Sequence, residues 1–402
     1  MRSTMTNGQS PAVVSFLPPE LPMQTDDYTL DFNDGARVRV PAGNYHVRFT
    51  DMDTMNVLFE ADFSDAVASS TKKYYVRFRV ELWKDGQLIL THDLDLKGRN
   101  VHIVFPIGTL GDIIAWFPYA EEFRLKHGCK MYCTMQDALA DLFRLSYPDI
   151  IYLHEGEEVP DCYATYYMGL YPMSDEKKHN PIDHRVAGLQ KVIPPLLGLD
   201  YRELRPELKH CPERPIAEPY VCIATKTTAY AKFWNNPTGW AEVIAYLKEK
   251  GYRVLCIDKD RNIEVGGLSI TMPEGAEDFT GNLPLQERVD LLAHADFFIG
   301  LSSGLSWLAW AAGTPVILIS GFSLPFTEFY TPYRVINYHT CTGCWNNPEK
   351  SLDLKNFFSC PEHAGTDRAF ECSRLITAGH VCREIDRLMN DFELDPRREK
   401  PV

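Results

Sequence analysis

Asp296-Phe-Phe-Ile-Gly-Leu-Ser-Ser-Gly-Leu-Ser-Trp-Leu-Ala-Trp-Ala-Ala-Gly-Thr-Pro-Val-Ile-Leu-Ile319 decides the fold. Asp296 to Ile299 opens it as a short apolar run, and Gly300-Leu-Ser-Ser-Gly304 breaks that run with turn residues. Leu305 to Ala312 is rich in helix formers, and Gly313-Thr-Pro315 ends it. Pro315-Val-Ile-Leu-Ile319 is a second apolar strand. A strand returned to the next by a helix is a parallel β-α-β unit, because parallel neighbours need a crossover. Upstream the same alternation recurs: Tyr220 to Ala224 extended, Trp240 to Lys250 helical, Tyr252 to Ile257 extended, Leu285 to His294 helical. Repeated units of this kind build a doubly wound sheet, whose ligands bind beyond the carboxyl ends of the strands.

A second α/β set begins near residue 100, with Val101-His-Ile-Val-Phe105 as a strand, Pro106 to Gly111 as a loop and Asp112 to His127 as a helix. The stretch from Asp149 to Glu213, with Pro172, Pro181, Pro194-Pro195 and Pro212, is less regular and reads as the end of this domain and a linker. Two such domains would face each other across a cleft. Before residue 100 the pattern is short and alternating: Ala36 to Val40, Tyr45 to Phe49 and Tyr74 to Val80. Val76 to Trp83, a turn at Asp85-Gly86 and a return at Gln87 to Leu90 read as a hairpin. A small sandwich or barrel is expected there, behind an extended leader containing Pro11, Pro18, Pro19 and Pro22. The division is therefore 1–99 β-rich, 100–214 and 215–339 Rossmann-like, 340–373 a cysteine finger and 374–402 a helix and tail.

No apolar run approaches the length of a membrane span, and Met1 to Ser10 lacks the apolar core of a secretory signal, so a cytoplasmic location is expected. A net charge of −14 argues against nucleic acid as a partner, since that binding rests on basic surface. Eleven cysteines, an odd number, fit free thiols and a metal site in a reducing compartment better than disulfides.

Three loops can carry chemistry. Gly108-Thr109-Leu110-Gly111-Asp112 follows a strand and opens a helix, so its glycines admit close approach and its N–H groups are unpaired. Asp112 there reads either as a helix cap or as a catalytic carboxylate. Ser302, Ser303, Gly304 and Leu305 can offer N–H and hydroxyl donors to a diphosphate, or simply cap the helix. Thr225 to Pro237 is a polar loop holding Lys226 and Lys232; a lysine here can neutralise phosphate or lie solvated at the surface.

Cys341, Cys344, Cys360 and Cys372 are spaced C-x2-C-x15-C-x11-C. A tight knuckle and two further thiols across a loop with turn residues can close around one zinc or mononuclear iron ion. Four protein thiolates leave no open position, so the finger's task would be shape. Cys382, on an expected helix from Ser373 to Leu388 whose apolar face is Leu375, Ile376, Val381, Ile385 and Leu388, reads as a core thiol or a reserve ligand.

Taken together, Gly108-x-x-Gly111-Asp112, Lys232 before a Trp-containing helix start, Thr280-Gly281, and Gly300-x-x-Ser303-Gly304-x-x-x-x-Ala309-x-Ala311-x-Gly313-x-Pro315 resemble the ADP-heptose glycosyltransferases. With the β-rich start and the late cysteines, nearly the whole chain resembles the bacterial autotransporter heptosyltransferases. The resemblance implies a GT-B pair of Rossmann-type domains, ADP-glycero-manno-heptose as donor and serines of an autotransporter adhesin passenger as acceptor. It also implies structural iron in the finger, a large homo-oligomer, and no divalent cation at the transfer site. Residue by residue it implies Asp112 as the catalytic base and Thr109, Leu110, Gly111, Lys232, Thr280, Gly281, Ser302, Ser303, Gly304 and Leu305 as donor-binding. Cys341, Cys344, Cys360 and Cys372 would be the iron ligands. Related lipopolysaccharide-core enzymes carry a His where this chain has Trp307, which is expected to pack against the sheet instead. Two rivals stand beside this reading: a lipopolysaccharide-core heptosyltransferase, disfavoured by the acidic charge, and a non-catalytic nucleotide-binding assembly module in which Asp112 only caps its helix.

Overall fold

The computed structural model describes residues 21, 28–106, 108–169, 176–265, 268–352 and 359–397; most of the expected leader, including Pro11, Pro18, Pro19 and Pro22, lies outside them. Two compact units share the chain: Met1–His184 with Lys191–Leu204, and Arg185–Gln190 with Arg205–Val402.

In the first unit a seven-stranded sheet runs in the order Ile151–Leu153, Lys130–Thr134, Asn100–Val104, Ala164–Tyr167, Thr29–Asn33, Arg37–Val40, Ala66–Ser69. Pairing is parallel from Ile151–Leu153 through Thr29–Asn33 and antiparallel beyond. A separate four-stranded antiparallel sheet holds Val57–Phe63, Tyr45–Asp51, Phe78–Lys84 and Gln87–Asp93. The expected hairpin is present, with positive φ at Asp85 (51°) and Gly86 (80°), the backbone twist a two-residue hairpin turn requires. Phe32 of one sheet stacks on Phe78 of the other at 6.2 Å, as the inner faces of two sheets do. The N-terminal region is thus β-rich, but Thr29–Asn33 belongs equally to the α/β sheet, where it pairs in parallel with Ala164–Tyr167.

The stretch from Asp149 to Glu213 is more ordered than its prolines suggest. Ala-Thr-Tyr-Tyr at Ala164–Tyr167 is fully buried and lies between Asn100–Val104 and Thr29–Asn33. Its tyrosines hide an ordinary interior strand: apolar ring bodies fill the core as well as leucine would.

The second unit is an all-parallel six-stranded sheet, ordered Glu277–Asp278, Arg253–Cys256, Tyr220–Ile223, Phe298–Leu301, Val316–Ile319, Arg334–Val335. Numbered along the chain, this is the 3-2-1-4-5-6 order of a dinucleotide-type fold. Its switch point lies between Tyr220–Ile223 and Phe298–Leu301, where connections leave in opposite directions. The strands read as continuous apolar runs because both faces are covered. One covering helix is Ala378–Asp391, capped by the Thr377 hydroxyl accepting from His380 N–H, with Val381, Ile385 and Leu388 buried. It begins later than Ser373, and Leu375 is exposed rather than part of its apolar face. Cys382 packs beside this core as a thiol of the helix.

His102, on the interior strand Asn100–Val104 of the first unit, bonds Thr134 Oγ1 at 2.7 Å, and burial lowers its pKa to about 4. The folded value lies below the unfolded one of about 6.5, so the unfolded chain binds more protons between the two and stability falls as pH drops through that window. Going from pH 7 to pH 5 should cost about 2 kcal/mol from this group. Urea midpoints at the two pH values should show that loss in the wild type, and His102→Gln should reduce it; an equal loss in both would refute the assignment.

Candidate active site

The loop after Asn100–Val104 turns into the helix Leu110–His127 with Thr109 as its N-cap. Asp112 is not the N-cap itself but stands at N3 of a helix that starts two residues earlier than expected, and closes a capping box: its Oδ2 accepts from Thr109 N–H at 2.7 Å and from Thr109 Oγ1 at 2.9 Å. The same contacts fix the half-buried carboxylate in one orientation at the helix N-terminus. A Cβ on Gly108 would lie 2.7 Å from Ile113 Cδ1, so this loop runs close to its own helix and another residue there would have to displace the end of the Ile113 side chain. Thr109 is exposed, Leu110 half-buried and Gly111 buried.

In the second unit, the donor-binding candidates all stand after the carboxyl ends of strands. Lys232 ends a 3-10 turn, Tyr230–Lys232, in the connection after Tyr220–Ile223, with its ammonium 5.7 Å from the centre of the Trp345 ring. Thr280 and Gly281 follow Glu277–Asp278. Thr280 gives both its N–H (3.0 Å) and its hydroxyl (2.6 Å) to Asp278 Oδ1, and Gly281 takes a φ of 141°. Buried Arg288 holds this turn from beneath, donating to Phe279 O at 2.6 Å and Gly281 O at 3.1 Å.

Ser302, Ser303, Gly304 and Leu305 follow Phe298–Leu301 and open the helix Gly304–Ala311. A Cβ on Gly300 would meet Phe298 Cε1 at 2.3 Å, which lets strand and helix pack tightly. The two serines diverge. Ser302 Oγ donates to Glu328 Oε1 and so does not offer its proton to a ligand. Ser303 Oγ is buried at the N-cap and has no hydrogen-bond partner among the described residues. Trp307 is buried, meeting Phe329 edge-on at 5.0 Å and Trp310 at 5.6 Å, rings of a loop and of its own helix and not of the sheet it was expected to pack on.

Two buried ion pairs here have no motif in the sequence. Asp258, after Arg253–Cys256, accepts from Thr225 N–H, Thr225 Oγ1 and Lys226 N–H. Lys226 Nζ lies 3.6 Å from it, too far for a hydrogen bond, and is otherwise unpartnered and buried. Glu328 Oε2 accepts from Arg334 at 2.9 Å, with side chains 2% and 8% exposed. Only an unfavourable count of buried charges could have flagged them, since neither pair follows a helix or strand spacing.

Cys341 is half-buried and Cys344, Cys360 and Cys372 are buried; all four are reduced. Burial and the other three thiols push Cys372 up to about 12, and burial with Glu371 nearby pushes Cys341 up to about 11. Such thiols ionise only beside a cation, and Cys360 Sγ already accepts from His363 N–H and Phe370 N–H at 3.4 Å, as metal-bound sulfur does. The donor set therefore fits a soft, thiophilic ion. Among the described residues the donor atoms that meet within 4.8 Å are those of Cys341, His363 and Glu371, a trio the spacing argument does not contain and in which Cys344, Cys360 and Cys372 take no part. Arg368, bonded to both oxygens, holds the Glu371 carboxyl down to about 2.

Residues 27–86 match the N-terminal domain model of glycosyltransferase TibC, and residues 169–354 match glycosyltransferase family 9 (heptosyltransferase). The chain is 51% identical over 380 residues to the autotransporter heptosyltransferase Aah of Escherichia coli, covering 92% of this chain and 96% of that one. The chain belongs to the autotransporter heptosyltransferases. It is a glycosyltransferase with the family 9 fold and a β-rich N-terminal region. An autotransporter heptosyltransferase from Burkholderia thailandensis, described as inactive, is 39% identical over 363 residues, covering 90% of this chain and 86% of its own. Among solved heptosyltransferases, iron-containing dodecameric TibC from enterotoxigenic E. coli superposes with a TM-score of 0.90 at 49% identity, covering 94% of this chain and all of that one. The same enzyme has been solved with ADP-D-beta-D-heptose, with a TM-score of 0.89. Among the described residues, no helix of this heptosyltransferase is long and apolar enough to cross a membrane.

Proposed function

We propose that this chain transfers heptose from ADP-glycero-manno-heptose to serine hydroxyls of an autotransporter adhesin passenger in a single inverting displacement. The observation that carries the donor half lies after the strands of the second unit, where Ser303 Oγ is buried at the N-cap of Gly304–Ala311 with no hydrogen-bond partner among the described residues, and Lys226 Nζ is buried with only the Asp258 carboxylate, 3.6 Å away, facing it there. Buried polar atoms of this kind cost free energy unless a ligand satisfies them, and a diphosphate supplies acceptors and negative charge.

Asp112 takes the serine proton as the oxygen attacks the anomeric carbon, and the bond to the ADP oxygen breaks. Lys232, the N–H groups of Ser303, Gly304 and Leu305, and the Thr280-Gly281 turn stabilise the charge building on ADP. Thr109, Leu110 and Gly111, in the loop that carries Asp112, complete the donor-binding set. With these donors in place the transfer site needs no divalent cation. In this reading residues 100–214 carry the base, 215–339 the donor site and 340–373 the finger.

Cys341, Cys344, Cys360 and Cys372 would hold one iron per subunit, with zinc as the alternative that thiolates also accept. A bound ion with four protein ligands supplies shape and leaves no open position for substrate. The finger and the β-rich region suit a cytoplasmic enzyme assembled as a large homo-oligomer, a dodecamer as in TibC, and acting on a protein before its export. Incubating a passenger fragment with the enzyme and the donor should give intact-mass steps of one heptose each. A fragment left unmodified while the enzyme binds donor would reject the passenger as acceptor.

A further inference from the structure

The loop that carries Lys232 is flanked twice by the cysteine-rich segment. Trp345, directly after Cys344, puts its ring 5.7 Å from the Lys232 ammonium. From the other end of the segment, Phe370 meets Tyr230 edge-on at 5.1 Å, and Ser373 Oγ accepts from Asn235 Nδ2 at 3.0 Å. The next residue, Asn346, reaches the loop after Val316–Ile319 that carries Glu328. Asn346 Oδ1 accepts from Leu324 N–H at 2.7 Å and from Thr327 Oγ1 at 3.0 Å. Thr327 precedes Glu328, whose Oε1 receives the hydroxyls of Ser302 and Ser323 and whose Oε2 receives Arg334. The knuckle is itself pinned: Trp345 N–H donates to Phe322 O at 3.0 Å, and Arg185 donates to Trp345 O at 2.9 Å.

We propose that Trp345 and Asn346 are positioning residues for the donor's diphosphate: Trp345 presets Lys232, and Asn346, through Thr327 and Glu328, presets the Ser302 end of the phosphate loop. The inference rests on the reading of Lys232 and Ser302 to Leu305 as the donor site. A lysine has four rotatable bonds to freeze when it meets phosphate. An aromatic face attracts the ammonium and restricts it beforehand, so less freedom is lost on binding. The finger then does more than hold its own shape, because its first knuckle is built into the donor site.

The test is ADP binding by calorimetry on the metal-loaded full chain, with metal content and oligomer mass measured for every variant. Trp345→Ala should raise the ADP Kd by about ten-fold at unchanged metal content, and Trp345→Phe should restore it to within about two-fold. In a Lys232→Ala background Trp345→Ala should add nothing, the mark of two residues acting through one contact. Equal Kd values for wild type and Trp345→Ala would overturn the proposal, as would the same loss with and without Lys232. Loss of metal in both Trp345 variants would make the ring a structural strut, which also overturns it. A wild type that fails to bind ADP at all would instead remove the donor reading beneath it.

Discussion

Asp112→Asn is expected to lower kcat by about 10²–10⁴-fold while changing donor affinity little. The size follows from what the carboxylate alone can do: a serine hydroxyl is a poor nucleophile at neutral pH, and removing its proton as the sugar bond lengthens needs a base within hydrogen-bond reach. The amide keeps an oxygen that can accept from Thr109 N–H and Thr109 Oγ1, the two bonds that Asp112 Oδ2 now receives at 2.7 and 2.9 Å. It cannot take a proton. Asp112→Ala removes base and cap together, and should add a helix-start loss of about 1 kcal/mol, visible in urea denaturation. Single-turnover transfer onto a passenger fragment measures the first effect and a denaturation midpoint the second. Wild-type kcat in Asp112→Asn would leave the residue a cap and nothing more.

The second large effect is expected at the finger. Cys344→Ser with Cys360→Ser should empty the metal site and unfold the segment around it. Among the described residues the apolar cluster there has Ala231, Phe322 and Cys344 at its centre and Trp345, Leu352 and Phe370 around it. A bound structural metal adds far more than such contacts do: structural zinc in finger peptides contributes roughly 10–16 kcal/mol. Metal analysis should fall from one ion per chain towards zero, limited proteolysis should cut between residues 340 and 373, and the thermal midpoint should drop by roughly several degrees. The Trp345 contact with Lys232 links this loss to the donor site, so ADP affinity should fall with it. Full metal content and an unchanged proteolysis pattern in the double variant would show that these thiols are not the ligands.

Glu328 and Arg334 show where sequence reading stops. Neither belongs to a motif, yet together they absorb the Ser302 hydroxyl, so the Ser-Ser pair that looks like two phosphate donors contains one anchored serine and one unpartnered one. Identical residue types at adjacent positions differ in role because the buried acid beneath them comes from another strand connection. Thr280 is similar: its side chain closes on Asp278 two residues back, a local Asx-type bond that spacing cannot distinguish from a ligand contact. His363 and Glu371 join Cys341 only because the loop folds back on itself.

Local chemistry was enough for the second sheet. Apolar strands bounded by Gly, Ser and Pro, alternating with helices, leave a parallel α/β layer as the arrangement that satisfies every backbone group, and the hairpin at Asp85-Gly86 follows from a turn only those residue types adopt readily. The loop positions of Asp112, Lys232 and Ser303 were legible for the same reason: each depends on neighbours within a few residues. Long-range pairing was not. That Thr29–Asn33 runs parallel to Ala164–Tyr167, that Lys226 is buried against Asp258, and that the knuckle braces the lysine loop are matters of which surfaces meet. Those meetings are chosen by burial and shape across the whole chain, and burial is non-directional and carries no local spelling.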